Sequence, residues 1–259
     1  MELHNPSIRA EAIALMRQGV PNRLVAEQLN VPRGTVGWWR SEDRKAHGEK
    51  YEQPTDCPRC TGREFDTAAY SYLLGLYLGD GHIISKPKQH HLSIFCNAAQ
   101  TGLVAAAEDA MHKVMPLPNS SRRRRAGCVE VKSYTKHWTC MFPQHGPGKK
   151  HERTIALEAW QQDIVDAHPW AFLRGLIHSD GCRITNWTTR TIAGELKRYE
   201  YPRYFFTNVS ADIRRLCTDT LDRVGVEWTQ CTRNGTPFNI SVARKASVAL
   251  MDLYVGAKY

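Results

Sequence analysis

No stretch of this 259-residue chain approaches the ~20 consecutive apolar residues that a membrane-spanning helix requires. Its opening residues, MELHNPSIRAEA, lack the apolar segment of a secretory signal, so a soluble cytoplasmic protein is expected. Cysteine motifs are equally sparse. Of eight cysteines only Cys57 and Cys60 show a motif spacing, and no second CxxC follows them. Cys96, Cys128, Cys140, Cys182, Cys217 and Cys231 are read as reduced, mostly buried thiols. Acidic residues are the scarcer charge, 26 against 35 Lys and Arg, for a net +9. The deficit is uneven: residues 1–64 carry ten basic and nine acidic residues, while residues 65–259 carry 25 and 17. A surplus concentrated in one part of the chain favours a polyanionic partner, of which nucleic acid is the commonest.

Residues 1–45 read as a small all-helical unit. SIRAEAIALMRQG and PNRLVAEQLN are two helices, and RGTVGWWRSE is a short third one after a turn at Asn30-Val31-Pro32. Val25, Ala26, Leu29, Val31, Val36 and Trp39 occupy the core positions of a helix-turn-helix, with Asn30 suited to a left-handed turn. Over about 20 residues the segment resembles helix-turn-helix DNA-binding units. That resemblance implies that Arg33, Thr35, Trp38 and Arg40 meet a major groove. The alternative is a plain three-helix unit for protein contact. Residues 46–65 read as a polar linker. Inside it Cys57-Pro-Arg-Cys60 has the spacing with which two thiolates grip a tetrahedral Zn2+. His47, His82, His90, His91 or another chain are candidates for the missing ligands, and a pair of free thiols is the alternative.

From residue 66 onward one order of elements occurs twice. In residues 66–166 a helix (Thr67–Gly79) precedes strands HIISKP and HLSIFC and the helix AAQTGLVAAAEDAMHKVM. CVEVKSY and HWTCMF then read as a second strand pair, before the helix RTIALEAWQQDIV. Residues 167–259 repeat this with PWAFLRGLIHS, CRITNWTT, RYFFTNVS, ADIRRLCTDTLDRVG, EWTQCT, FNISVA and SVALMDLYV. Such a duplication predicts a pseudo-twofold pair of domains in one chain, and so a monomer.

Both copies open on a helix that ends in Asp-Gly: LLGLYLGDG and LRGLIHSDG. Gly75 and Gly79 lie four residues apart on one face, as do Gly175 and Ser179, so two helices stripped of side chains can meet almost backbone to backbone. Asp80 and Asp180 would then sit side by side at two helix carboxyl ends, each already carrying about half a negative charge. Mutual repulsion of the carboxylates calls for compensation, and a hard divalent cation such as Mg2+ or Mn2+ supplies it. Solvated aspartates with no shared site are the alternative.

These two stretches resemble the LAGLIDADG motif, whose best-known bearers are homing endonucleases, and the resemblance in motif and element order covers nearly all of residues 66–259. It implies an α+β fold of duplicated αββαββα domains whose sheets form a saddle over double-stranded DNA. It implies further that Asp80 and Asp180 bind the divalent metal for phosphodiester hydrolysis. Basic residues near the end of each half are implied to assist; the positional matches are Lys149 and Lys150, and Arg244 and Lys245, with Lys150 and Lys245 assigned to catalysis. The sheets are expected to present Lys86, Lys88, Lys132, Arg183, Arg190 and Arg203 to DNA. Arg122, Arg123, Arg124 and Arg125 are read as a phosphate clamp in the loop before a strand pair. Arg174 and His178 depart from the motif. A self-splicing role is set aside for want of an N-terminal Cys or a C-terminal His-Asn pair. Two functions remain open: a site-specific DNA endonuclease, or a nucleoid-associated bacterial transcription regulator that has lost cleavage. Retention of both aspartates favours the first.

Overall fold

Tyr70 to Leu78 are buried without a break, as a helix apolar on nearly every face must be. This helix lies in the larger hydrophobic core of the computed structural model, which describes residues 5–49, 55–87, 89–233 and 235–259. Lys88, one of the expected DNA contacts, lies outside the described residues. The chain divides into two compact units, Met1–Pro54 and Thr55–Tyr259.

The first unit holds helices α1 (Pro6–Arg17), α2 (Asn22–Gln28) and α3 (Arg33–Ala46). Asn5 caps α1 by accepting from the Ser7 amide, and Pro6 stands at its first position. Ala12, Met16, Val25, Ala26, Val31, Val36 and Trp39 form a separate small core. Asn30 takes φ +50° at the turn between α2 and α3. The third helix is longer than the short segment expected: it runs past Glu42 to Ala46, and in that extension Arg17 of α1 pairs bidentately with Asp43.

The second unit begins with α4 (Pro58–Thr61) and then runs α-β-β-α-β-β-α twice. The first copy comprises α5 (Thr67–Leu78), β1 (Gly81–Lys86), β2 (Gln89–Asn97), α6 (Thr101–Val114), β3 (Ser120–Arg125), β4 (Cys128–Ser133), a short α7 (Trp138–Met141), a 3-10 turn (Lys150–Glu152) and α8 (Ala159–Ala167). The second comprises α9 (Pro169–Asp180), β5 (Gly181–Ile192), β6 (Glu195–Thr207), α10 (Ala211–Arg223), β7 (Thr229–Arg233), β8 (Thr236–Val242) and α11 (Lys245–Tyr254). Each copy forms a four-stranded antiparallel sheet of the same order, β1-β2-β4-β3 and β5-β6-β8-β7. The fold is therefore α+β with an internal duplication. Among the described residues no helix is long and apolar enough to cross a membrane.

Two expected elements are exchanged. HWTCMF is not a strand: Trp138, Met141 and Phe142 are buried at helical spacing, and the Trp138 indole donates to the Ser133 carbonyl. The strand that pairs with β4 is instead the arginine run, because Gly127 at φ +74° closes a two-residue turn between Arg125 and Cys128. The four arginines thus lie in β3 rather than in a loop. In the second copy β5 and β6 outgrow the expected strands. β6 meets β8 only from Tyr204 to Thr207, so Thr185–Pro202 projects as a two-stranded ribbon.

Candidate active site

The seam between the copies is the α5–α9 contact, and its geometry follows from missing side chains. A methyl group on Gly75 would stand 2.5 Å from the Phe172 carbonyl oxygen and 2.8 Å from the Gly175 Cα. Only glycine permits that approach. Ser179 lies opposite Gly79, and its hydroxyl is satisfied by donating to the carbonyls of Gly175 and Leu176 at 3.0 Å. At the other end of the seam Ser71 donates to the His168 carbonyl, and Asp66 caps α5 by accepting from the Ala69 amide.

Both helices run out at the same place. Asp80 and Asp180 are half-buried there, and Asp80 feels the charge of Asp180. Burial first, and then the neighbouring Asp180 carboxylate, push the Asp80 carboxyl up to about 6. Asp180 is also raised by burial, an effect opposed by Asn208, whose amide donates to the Asp180 carboxylate at 2.6 Å. Among the described residues no side chain donates to the Asp80 carboxylate.

Two lysines close the helix ends. Lys150 donates to the carbonyls of Tyr77, Leu78 (2.9 Å) and Gly79 (2.7 Å), the orphan acceptors of α5. Lys258 donates to the Ser179 carbonyl of α9 at 2.6 Å. Both ammonium groups act on both aspartates. Burial pulls Lys150 down to about 8, and the attraction of Asp180 and Asp80 limits the fall. The helix-end carbonyls of Leu78, Gly79 and Ser179 are thus occupied by ammonium groups, and the carboxylates remain as the accessible hard oxygens.

Of the two lysines assigned to catalysis from the sequence, Lys150 lies at this centre and Lys245 does not. Lys245 is exposed in the first turn of α11, beside an Arg244–Glu227 ion pair. Lys149 is exposed and paired with Glu152. Lys258 holds the position that Lys245 was expected to fill, and no motif surrounds it in the sequence. Arg174, the departure from the motif, helps to place it: its guanidinium donates to the Tyr259 hydroxyl at 2.9 Å, while the Leu103 amide donates to the Tyr259 carbonyl. His178, the other departure, is wholly buried, bonded through Nδ1 to the Tyr72 hydroxyl and pushed down to about 4 by burial.

Strand alternation sorts the expected DNA contacts. Arg122 pairs with Glu108 of α6, which puts Arg122 and Arg124 on the helix side of the first sheet. Arg123 and Arg125 take the open side, which Lys86 shares. Lys132 is also there but only 12% exposed, held with Arg125 and Ser93 on a buried Glu130. Arg183 is a correction: it pairs bidentately with Asp252 of α11, on the helix side, where the Tyr204 hydroxyl joins it. Arg190 and Arg203 face the open side of the second sheet, with Lys197 opposite Arg190. In the first unit Arg33 and Trp38 are exposed and Thr35 is half-buried, while Arg40 is drawn back to Asn22 at 2.8 Å.

Cys57 and Cys60 are brought together with His137 and Cys140, all four ligand atoms lying within 4.8 Å of one another. None of the histidines expected there takes part: His47 bonds within the first unit, and His82, His90 and His91 belong to β1 and β2.

No protein-family model matches the sequence, and no curated protein does. Solved structures do resemble the fold. The N-terminal LAGLIDADG domain of DUF199/WhiA aligns over 74% of this chain and 83% of its own, with 11% identity and a TM-score of 0.45. I-DmoI in complex with DNA and Mn aligns over 74% and 98%, with 12% identity and a TM-score of 0.48. The meganuclease I-AabMI bound to uncleaved DNA aligns over 71% and 83%, with 12% identity and a TM-score of 0.46. The scaffold resembles that of LAGLIDADG proteins. Likenesses of this depth concern the scaffold alone.

Proposed function

We propose that this chain is a metal-dependent, site-specific endonuclease of double-stranded DNA. One observation carries the reading: two acidic side chains meet at the ends of paired helices, each helix running directly into the first strand of a sheet with basic residues on its open side. The donor set fits a hard divalent cation, since among the described residues no side chain donates to the Asp80 carboxylate, which burial and the neighbouring Asp180 both raise. Asp80 and Asp180 would hold Mg2+ or Mn2+, which supplies activation of water and charge stabilisation at the scissile phosphate. Lys150 keeps the α5 end in place and Lys258 the α9 end, so two ammonium groups are held beside the carboxylates where charge develops on the phosphate. Lys86, Arg123, Arg125, Arg190 and Arg203 contact phosphates, and Arg33, Thr35 and Trp38 of the first unit add target affinity.

A second reading, a DNA-binding regulator without cleavage, is favoured by the same two lysines. Two ammonium groups beside two carboxylates balance the charge without a metal. The test is to select duplexes bound from a random library and incubate them with the protein in Mg2+ or Mn2+. Cleavage that Asp80→Asn or Asp180→Asn abolishes without loss of binding supports the endonuclease. Tight binding with no cleavage in either metal establishes the regulator.

A further inference from the structure

Away from the aspartates, the second unit gathers four softer donors. Cys57 and Cys60 come from the turn that opens α4, and His137 and Cys140 from the turn of α7, about 80 residues later. Cys60 Sγ lies 3.7 Å from Cys140 Sγ and 3.3 Å from His137 Nδ1, and Cys140 Sγ lies 3.9 Å from the same nitrogen. A tetrahedral zinc ion with ordinary bond lengths spaces its sulfurs about 3.8 Å apart, and sulfur from nitrogen about 3.6 Å. A disulfide would bring two sulfurs to about 2.0 Å. The observed spacings are the edges of a coordination tetrahedron rather than of a covalent pair.

We propose that Cys57, Cys60, His137 and Cys140 bind one Zn2+ as a closed structural site. Each pair is spaced i, i+3 in a helical turn, which puts both of its donors on one side. The amide of Cys60 donates to the Cys57 carbonyl and that of Cys140 to the His137 carbonyl, each at 3.0 Å, so a backbone hydrogen bond closes each turn. Four protein ligands leave no open position for substrate, which separates this site from a catalytic zinc.

The position of the site says what the ion does. At four residues α7 is too short to hold itself. Its end is nonetheless fixed on the motif helix: the Tyr70 hydroxyl donates to the Met141 carbonyl at 2.5 Å, and Phe142 stacks on Tyr77 with ring centroids 4.3 Å apart. From Phe142 the chain runs on to Lys150. Zinc therefore pins the segment before α5 to the segment after β4, and anchors the stretch that brings Lys150 to the end of α5.

Metal analysis of the full chain, purified under reducing conditions without chelator, tests this independently of cleavage. One zinc per chain is expected, falling to none in Cys60→Ser/Cys140→Ser. Cobalt titrated into the reduced zinc-free protein is expected to give the intense visible bands and the thiolate charge-transfer absorption of a tetrahedral three-sulfur site. Chelation is expected to lower the melting temperature, and zinc but not magnesium to restore it. Absence of zinc together with a featureless cobalt spectrum overturns the proposal, as does zinc retained at full stoichiometry in the double variant. Should the variant fail to fold, the cobalt spectrum of the unaltered chain decides alone.

Discussion

Replacing Gly75 with alanine adds one methyl group to the seam on which the proposed active site depends. That methyl would meet the Phe172 carbonyl oxygen at 2.5 Å, the Leu176 amide nitrogen at 2.7 Å and the Gly175 Cα at 2.8 Å. All three are backbone atoms, so no side chain can rotate away. Restoring ordinary contact separates α5 from α9 by about 1 Å. Overpacking of this kind costs about 3 kcal/mol at the upper end of its usual range, while the better helix propensity of alanine returns about 1 kcal/mol. The net loss is about 2 kcal/mol, or a fall of roughly 4–8 °C in melting temperature for a unit of this size. Because Asp80 and Asp180 end the two helices, the same displacement should lower cleavage about 100-fold. Gly79→Ala differs, since the nearest atoms to its methyl are side-chain atoms of Ser179 and Asp180 rather than backbone. Gly79→Ala/Ser179→Gly should therefore recover most of the stability that Gly79→Ala loses. Calorimetric unfolding and cleavage of a selected duplex measure both effects. Unchanged melting and unchanged cleavage in Gly75→Ala would refute the seam as the device that sets the site.

Lys258→Met should reduce cleavage about 100-fold or more, and Lys245→Met should leave it unchanged, in single-turnover assays of the two variants. Arg190→Ala and Arg203→Ala should each lower the salt dependence of DNA binding by about one unit of slope. Arg183→Met should leave that slope alone and cost about 1 kcal/mol of stability through its pairing with Asp252. Glu130 reports on pH: burial alone would raise its carboxyl, but Ser93, Lys132 and Arg125 outweigh burial and hold it below the ordinary glutamate range. A lowered carboxylate contributes stability above its unfolded value and loses it as pH falls through the folded one. Glu130→Gln should therefore be less stable than the natural chain near pH 7, with the gap narrowing as acid protonates the carboxylate, in denaturant titrations.

What was legible in the sequence was whatever a local pattern carries. Small residues four apart announced a close helix seam, and repeated Asp-Gly endings announced where both helices stop. The element order of each copy could be read because most elements have one face in the core and keep their period. Failures came where tertiary context overrode the local text. Four consecutive arginines look like a loop, but Gly127 folds them against β4, and the adjoining apolar residues Trp138, Met141 and Phe142 are left to a helical turn. Arg183 looked like any basic strand residue until Asp252, 69 positions away, claimed it for the other face of the sheet. The partners of Cys57 and Cys60 could not be read at all, because His137-x-x-Cys140 gains meaning only once α7 lies against α4.

Lys258 shows most plainly what a sequence hides and why. A helix carboxyl end with an aspartate attached needs positive charge, and any lysine that can reach it will serve. The requirement fixes a point in space but no distance along the chain. In the first copy Lys150 meets it 70 positions after Asp80, from a segment anchored by Phe142 on Tyr77; in the second Lys258 meets it 78 positions after Asp180, next to a tyrosine held by Arg174. The two copies therefore reach the same electrostatic solution through unlike anchors. Arg174, which looked like decay of the motif, is what secures one of them. A departure from a repeat is thus better judged by the charge it places or holds at the shared centre than by its distance from the pattern.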